Sequence, residues 1–161
     1  MKTALLYDSA YGNTEKIAQA IGQALGTQEE VAVLRIGEVN QAQLAGLKLL
    51  IVGSPTQRLR PTIPTSNLLK MLAGNSLKGV KVAAFDTRLT VQEIEKIRVL
   101  AFFVRLFGGY AAPVIAKGLQ KKGGELIAPP EGFYVEGMEG PLVDGELERA
   151  AAWARQISAH R

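Results

Sequence analysis

Ser9-Ala-Tyr-Gly-Asn-Thr14 gathers three hydroxyls and one amide side chain into six residues, with a glycine at the fourth. Placed between a strand and the helix that follows it, such a segment offers unpaired N–H groups and the positive end of a helix dipole to an anion. Gly12 permits the backbone to curl around an oxyanion. No lysine stands in the segment, so a phosphate would be held by hydrogen bonds and not by a direct cation. On residue types alone, the same stretch also describes an ordinary polar turn with a helix N-cap. Two other phosphate loops do not apply here, since neither Gly-Lys-Ser/Thr nor Gly-x-Gly-x-x-Gly follows the first apolar run. An aspartyl-phosphate site would need an aspartate after the third run, where the chain has Gly53-Ser54.

Composition closes other routes to chemistry. There is no cysteine, which excludes disulfides, thiolate nucleophiles and cysteine-ligated zinc or iron–sulfur centres. The single histidine, His160, has no second imidazole with which to share a metal or build a triad. Hydrophobic residues make up 47% and charged residues 21% of the 161 residues, values of a globular protein with one core. The longest stretch without Asp, Glu, Lys or Arg runs from Ile17 to Gln28, too short to span a bilayer. The N-terminal apolar run meets Asp8 before a signal-peptide core could form, so a cytoplasmic location is expected. The net charge of +4 is unevenly laid out, and residues 54–122 carry twelve basic and three acidic side chains. A basic stretch can serve an anionic ligand, an acidic partner, an acidic membrane surface or nucleic acid. Without an arginine-rich run or a helix-turn-helix pattern, nucleic acid is not expected.

The elements that must position the loop follow from hydrophobic pattern. Thr3–Tyr7 is a short apolar run and reads as a buried strand. Ile17, Ala18, Ile21 and Leu25 fall at helical spacing up to Gly26. Val31–Ile36 is a second strand, and Asn40 with Gln43 opens a short helix. Lys48–Gly53, apolar without alternation, reads as a third strand covered on both faces. Ser54–Thr65 reads as a long loop before a helix at 66–72, and Gly79–Phe85 as a fourth strand. Thr90 and Glu93 suggest a capping box opening a helix that breaks near Gly108-Gly109, resumes at Tyr110 and stops at Gly123-Gly124. Segments 124–128 and 133–136 make an interrupted fifth strand, and 144–158 a closing helix. Alternating strands and helices without a hairpin predict a doubly wound parallel sheet with helices on both faces. Ligands of such sheets bind beyond the carboxyl ends of the strands, which points to 8–14, 54–65 and 86–90.

Ser9-x-Tyr-Gly12-Asn13-Thr14 after a first strand, Gly53-Ser-Pro-Thr56 after a third and Phe85-Asp-Thr-Arg88 after a fourth together resemble the flavodoxin-like family of FMN-binding proteins. The resemblance covers essentially the whole chain. It implies a flavodoxin-like α/β fold, a doubly wound five-stranded parallel sheet in one domain over 1–161. It further implies noncovalent FMN and electron transfer through the exposed dimethylbenzene edge of the ring. Phosphate contacts go to Ser9, Tyr11, Gly12, Asn13 and Thr14. The isoalloxazine would lie between Ser54, Pro55, Thr56, Gln57 and Arg58 on one side and Asp86, Thr87 and Arg88 on the other. Asp86 is the one candidate base in these loops, and its expected role is to accept a ring or backbone N–H. The implied function is a carrier between redox partner proteins. The alternatives are an FMN-dependent reductase of a small acceptor such as a quinone, and a scaffold that has lost FMN.

Residues 54–65 and 86–92 contain no aromatic, so the ring is expected to rest on Arg58, Leu59, Arg60 or Leu89. Arg58, Arg60 and Arg88 give this rim a positive sign, which suits acidic partners. The stretch 92–107 carries Phe102, Phe103 and Phe107 with Arg98 and Arg105. It suits a core helix with one face on the sheet, or one that contacts a partner or a membrane surface. Trp153 is expected in the core, and the acidic run 136–148 on the solvated surface.

Overall fold

The apolar runs that begin the chain form the middle of a sheet. In the computed structural model, which describes residues 2–27, 30–107 and 109–160 without the side chains of Arg105 and Phe107, Thr3–Tyr7 (β1) is buried along its whole length. It lies between Val31–Arg35 (β2) and Leu49–Pro55 (β3), both parallel to it. Lys81–Leu89 (β4) follows on the far side of β3, giving the order β2-β1-β3-β4. Two short segments, Glu125–Leu126 (β5) and Glu131–Val135 (β6), both pair in parallel with β4 and share the fifth position. The interrupted fifth strand is thus observed, broken by Pro129-Pro130.

Successive side chains of the central strands point to opposite faces, and each face has its own apolar layer. Leu5, Ile51 and Phe85 pack with Ile17 and Ile21 of helix Asn13–Leu25 (α1) and with Trp153 and Ile157 of helix Glu146–Ala159 (α7). Trp153 stands edge-on to Phe85 and Phe133, 6.1 and 6.2 Å between ring centroids, a core residue as expected. On the opposite face, Leu6, Leu50 and Val52 pack with Leu68 of helix Ile63–Met71 (α3) and with Ile115 and Leu119 of helix Ala111–Lys121 (α6). The short helix Gln41–Leu44 (α2) opens with the full Asn40/Gln43 capping box.

Several boundaries differ from expectation. β3 runs on through Ser54 and Pro55, expected as the start of a loop, because the extended β4 pairs with them as Ser54↔Asp86 and Pro55↔Thr87. β4 does not stop at Phe85, because β6 supplies a ladder that continues from Phe85↔Glu131 to Leu89↔Val135. The segment 86–90, expected as a loop, is therefore strand through Leu89. α3 begins at Ile63, ahead of the expected 66, because Pro64 in its first turn has no hydrogen bond to lose. Thr90 does cap, accepting the Glu93 N–H, but the helix it opens ends after one turn at Val91–Glu95 (α4), and a new helix, Arg98–Phe107 (α5), follows. The Glu93 carboxylate turns to Lys96 and not back to complete a box. Of the expected break at Gly108-Gly109, Gly108 lies outside the described residues; Gly109 has φ +25°.

Candidate functional site

β1, β3 and β4 end at one edge of the sheet, and the segments beyond them meet there. The Asp8 N–H donates to the Gly53 carbonyl at 3.1 Å, which ties the start of the first loop to β3. The buried Ser9 hydroxyl accepts from the N–H groups of Gly12 (3.0 Å) and Glu15 (3.4 Å), so the loop is wound around one oxygen. Gly12 enters α1 at φ +88° with open space where a Cβ would stand, so it is the left-handed backbone that calls for glycine. Among the described residues, the N–H groups of Tyr11, Asn13 and Thr14 donate to no acceptor in the chain. These are orphan donors at the positive end of a 13-residue helix.

The side chains of this loop differ in what they touch. Tyr11 is 56% exposed. The Asn13 amide donates to the Glu139 carbonyl at 3.0 Å, and a Cβ on Gly140 would stand 2.7 Å from that amide. The segment between β6 and α7 therefore walls one side of the loop. Thr14 and Thr87 share a 2.8 Å hydrogen bond between buried hydroxyls. Arg35 donates to the Ser9 carbonyl and stands 3.9 Å from Asp8 on the other flank.

After β3, the fully buried Ser54 hydroxyl accepts the Thr62 N–H at 3.1 Å and lies 3.0 Å from the Pro55 carbonyl, while the hydroxyls of Thr62 and Thr65 meet at 3.0 Å. Ser54 thus fixes the entry to α3. Gln57 and Arg60 exchange both backbone hydrogen bonds, at 2.9 and 3.0 Å. Arg58 and Leu59 between them have φ of +48° and +65°, a two-residue turn built from side chains that disfavour it, at roughly 1–2 kcal/mol each. Leu59 tucks against Gly109, where a Cβ would come within 2.9 Å of it, and Arg58 and Arg60 are exposed.

On β4, alternation divides the three site residues. Thr87 faces α1, with Thr14. Asp86 and Arg88 face α6. The fully buried Asp86 carboxylate accepts from Arg88 Nε and Nη2, at 2.6 and 2.8 Å, and from the Ala112 N–H at 2.8 Å. Burial pushes this carboxyl up from its ordinary range, and the Arg88 hydrogen bonds and charge with the Ala112 N–H oppose that. Thr56 Oγ1 accepts the Ala111 N–H at 2.9 Å. Tyr110, the N-cap residue of α6, makes no side-chain cap, so Thr56 and Asp86 satisfy the first two N–H groups of that helix from neighbouring strands. The Arg88 guanidinium lies 3.8 Å from the centroid of the Tyr110 ring.

The sequence-derived residues therefore fall into three groups beyond the carboxyl ends of β1, β3 and β4. Ser9, Tyr11, Gly12, Asn13, Thr14 and Thr87 gather at the start of α1. Ser54, Thr56, Asp86 and Arg88 bind the starts of α3 and α6, and Gln57 and Arg58 project on the tight turn. Tyr110, Thr62, Arg35 and Glu139 were not legible as neighbours of the site. Only Tyr110 carried a signal, as the residue at which a helix resumes.

The flavodoxin family model matches residues 5–153, and the chain belongs to this family of FMN-binding electron-transfer proteins. Solved structures agree on the fold. An archaeal flavodoxin is 22% identical, with a TM-score of 0.76 over 99% of this chain and 97% of that one. Flavodoxin 1 of Bacillus cereus is 17% identical, with a TM-score of 0.75 over 100% and 99%. Rubredoxin oxygen:oxidoreductase of Desulfovibrio gigas is 19% identical, with a TM-score of 0.71 over 98% of this chain and 35% of that longer one. Comparison with curated protein sequences found no match.

Proposed function

We propose that this chain acts as one domain and as a cytoplasmic FMN-dependent electron carrier, passing electrons between protein partners that present acidic faces. The observation that carries the reading is the loop 9–14, where a left-handed glycine and the unclaimed N–H groups of Tyr11, Asn13 and Thr14 suit a phosphate monoester. The donor set fits FMN at that end. Ser9 would set the curvature of the loop, Tyr11, Gly12, Asn13 and Thr14 would line it, and Thr87 would brace Thr14 from β4. On the ring side, Pro55, Thr56, Gln57 and Arg58 would form one wall. Asp86, with both oxygens committed to Arg88 and Ala112, would act by holding that wall and α6 in place. When bound, FMN supplies the redox chemistry, and the protein supplies binding, orientation and electrostatic tuning. The exposed Arg58 and Arg60 also suit a small electron acceptor such as a quinone, so a reductase is the second reading. A fluorescence titration of the apo protein with FMN and with riboflavin tests the first, and FMN should bind far more tightly. Equal affinities would mean that 9–14 is only a turn. Oxidation of a pyridine nucleotide by the purified protein, with a quinone and no reductase added, would favour the second.

A further inference from the structure

Helix α5 turns its apolar side outward. Val99, Phe102, Phe103 and Leu106 recur at three- and four-residue spacing, hence on one face, and are 68, 61, 42 and 56% exposed. Phe102 and Phe103 meet edge to face, with 5.8 Å between centroids. The half-buried Leu100 and Val104 take the other side, and a Cβ on Gly109 would lie 3.2 Å from Val104. An amphipathic helix ordinarily aims its apolar face at the core. Here the two core layers are filled by α1 and α7 and by α3 and α6, and the face of α5 projects as a ridge. Its area is on the order of a few hundred Å², the size that marks contact with another surface.

Charge argues for what covers it. α5 contains no acidic residue. Arg98 near its start, and Arg58 and Arg60 on the turn whose Leu59 reaches Gly109 beyond its end, are exposed, and among the described residues none of the three makes an ion pair. Lys96 is paired with Glu93, and Glu95 is the exposed acid nearest in sequence. Two copies meeting through this face would bring like charges together. The four ridge side chains offer no hydrogen-bonding group, whereas protein interfaces are stitched by such groups around their apolar centres. A projecting ridge of phenylalanine, leucine and valine beside guanidinium groups has the character of a helix lying in the plane of a membrane surface.

We propose that α5 docks this protein on an anionic phospholipid bilayer, with the ridge in the headgroup–acyl boundary and the Arg58–Arg60 turn against the phosphates. Docking in this way presents the turn of the candidate flavin site to the membrane. The inference does not depend on bound flavin, and its test is read from protein.

The full chain, as purified, is sedimented with vesicles of phosphatidylcholine and with vesicles of phosphatidylcholine mixed with phosphatidylglycerol. Binding to the mixed vesicles should exceed that to neutral ones by at least about tenfold and weaken as salt rises. Arg98→Gln should weaken it by about fivefold. The exposed double variant Phe102→Ser/Leu106→Ser should lose it while keeping its circular dichroism and thermal midpoint. Equal binding to both vesicle types, no binding to either, or undiminished binding of the double variant would overturn the proposal. So would a dimer in analytical ultracentrifugation that the double variant abolishes while vesicles bind neither form, since the ridge would then belong to a second copy. Protein that carries no FMN yet binds mixed vesicles would support the docking and sink the carrier reading instead.

Discussion

The 2.8 Å hydrogen bond between Thr14 and Thr87 joins the loop that opens α1 to β4, with both hydroxyls buried. Thr14→Ala and Thr87→Ala each leave the other hydroxyl without its partner, so both should lower apo stability by about 1–3 kcal/mol in urea unfolding. Only Thr14→Ala should also weaken FMN, again by about 1–3 kcal/mol, if that hydroxyl reaches the phosphate as well. Matching stability losses with unchanged FMN affinity in both would reduce Thr14 to a brace. The arginines at the rim differ in the same residue-by-residue way. A guanidinium about 8 Å from the ring, at an effective dielectric of about 40, favours the reduced anionic flavin by about 1 kcal/mol, on the order of 50 mV. Arg58→Gln and Arg60→Gln should therefore lower the potential at which the flavin takes its second electron. Arg88→Gln should shift it less, because the buried Asp86, deprived of the guanidinium that holds it ionised, takes up a proton and cancels the lost charge. Spectroelectrochemistry of the three variants checks the order.

α7 is tied to β6 by Glu146, which accepts the Tyr134 N–H at 2.7 Å and pairs with Arg149, itself 3.0 Å from Glu131. Burial alone would raise the Glu146 carboxyl, but the Arg149 hydrogen bond, the Tyr134 N–H and the Arg149 charge outweigh it and hold the group below its ordinary value of 4.5. A lowered folded value means that the stabilisation is present above the unfolded value and is lost as pH falls through the folded one. Urea midpoints should drop as pH falls below the ordinary value of 4.5, and Glu146→Gln should flatten that drop while costing stability at neutral pH. Elements whose pattern is local were legible in the chain: β1, β2 and β3 as apolar runs, α1 by its period, α2 by its capping box. The extension of β4 to Leu89 was not, because the partner that makes it a strand is Glu131–Val135, far along the chain. The loop 9–14 was legible for the same reason that β1 was, being contiguous. The capping of α6 by Thr56 and Asp86 was not, because residues on three separate segments come together only in the folded sheet. The division of 91–107 into α4 and α5 left no mark in the period of the sequence.

At the scale of the molecule, the twelve basic and three acidic side chains of 54–122 are divided between the two ends of the sheet. Lys81 opens β4 and Lys121 closes α6 away from the candidate site, whereas Arg58, Arg60 and Arg98 are exposed on the turn and helix that border it, and these three should give an approaching acceptor a positive field. Oxidation of the reduced protein by ferricyanide should slow as salt rises, and oxidation by hexaamminecobalt(III) should quicken; parallel responses in stopped flow would remove the field from the account. The wall that Glu139 provides for Asn13 bears on how the protein is made. A ribosome completes loop 9–14 early, but the carbonyl that orients Asn13 emerges 126 residues later. At about 5–20 residues per second that is an interval of about 6–25 s, through which the nascent loop lacks one side. On the proposed reading of loop 9–14, cofactor capture would be scheduled behind synthesis of the segment that follows β6: a polypeptide stalled short of Glu139 would carry the whole proposed phosphate loop without the carbonyl that holds Asn13.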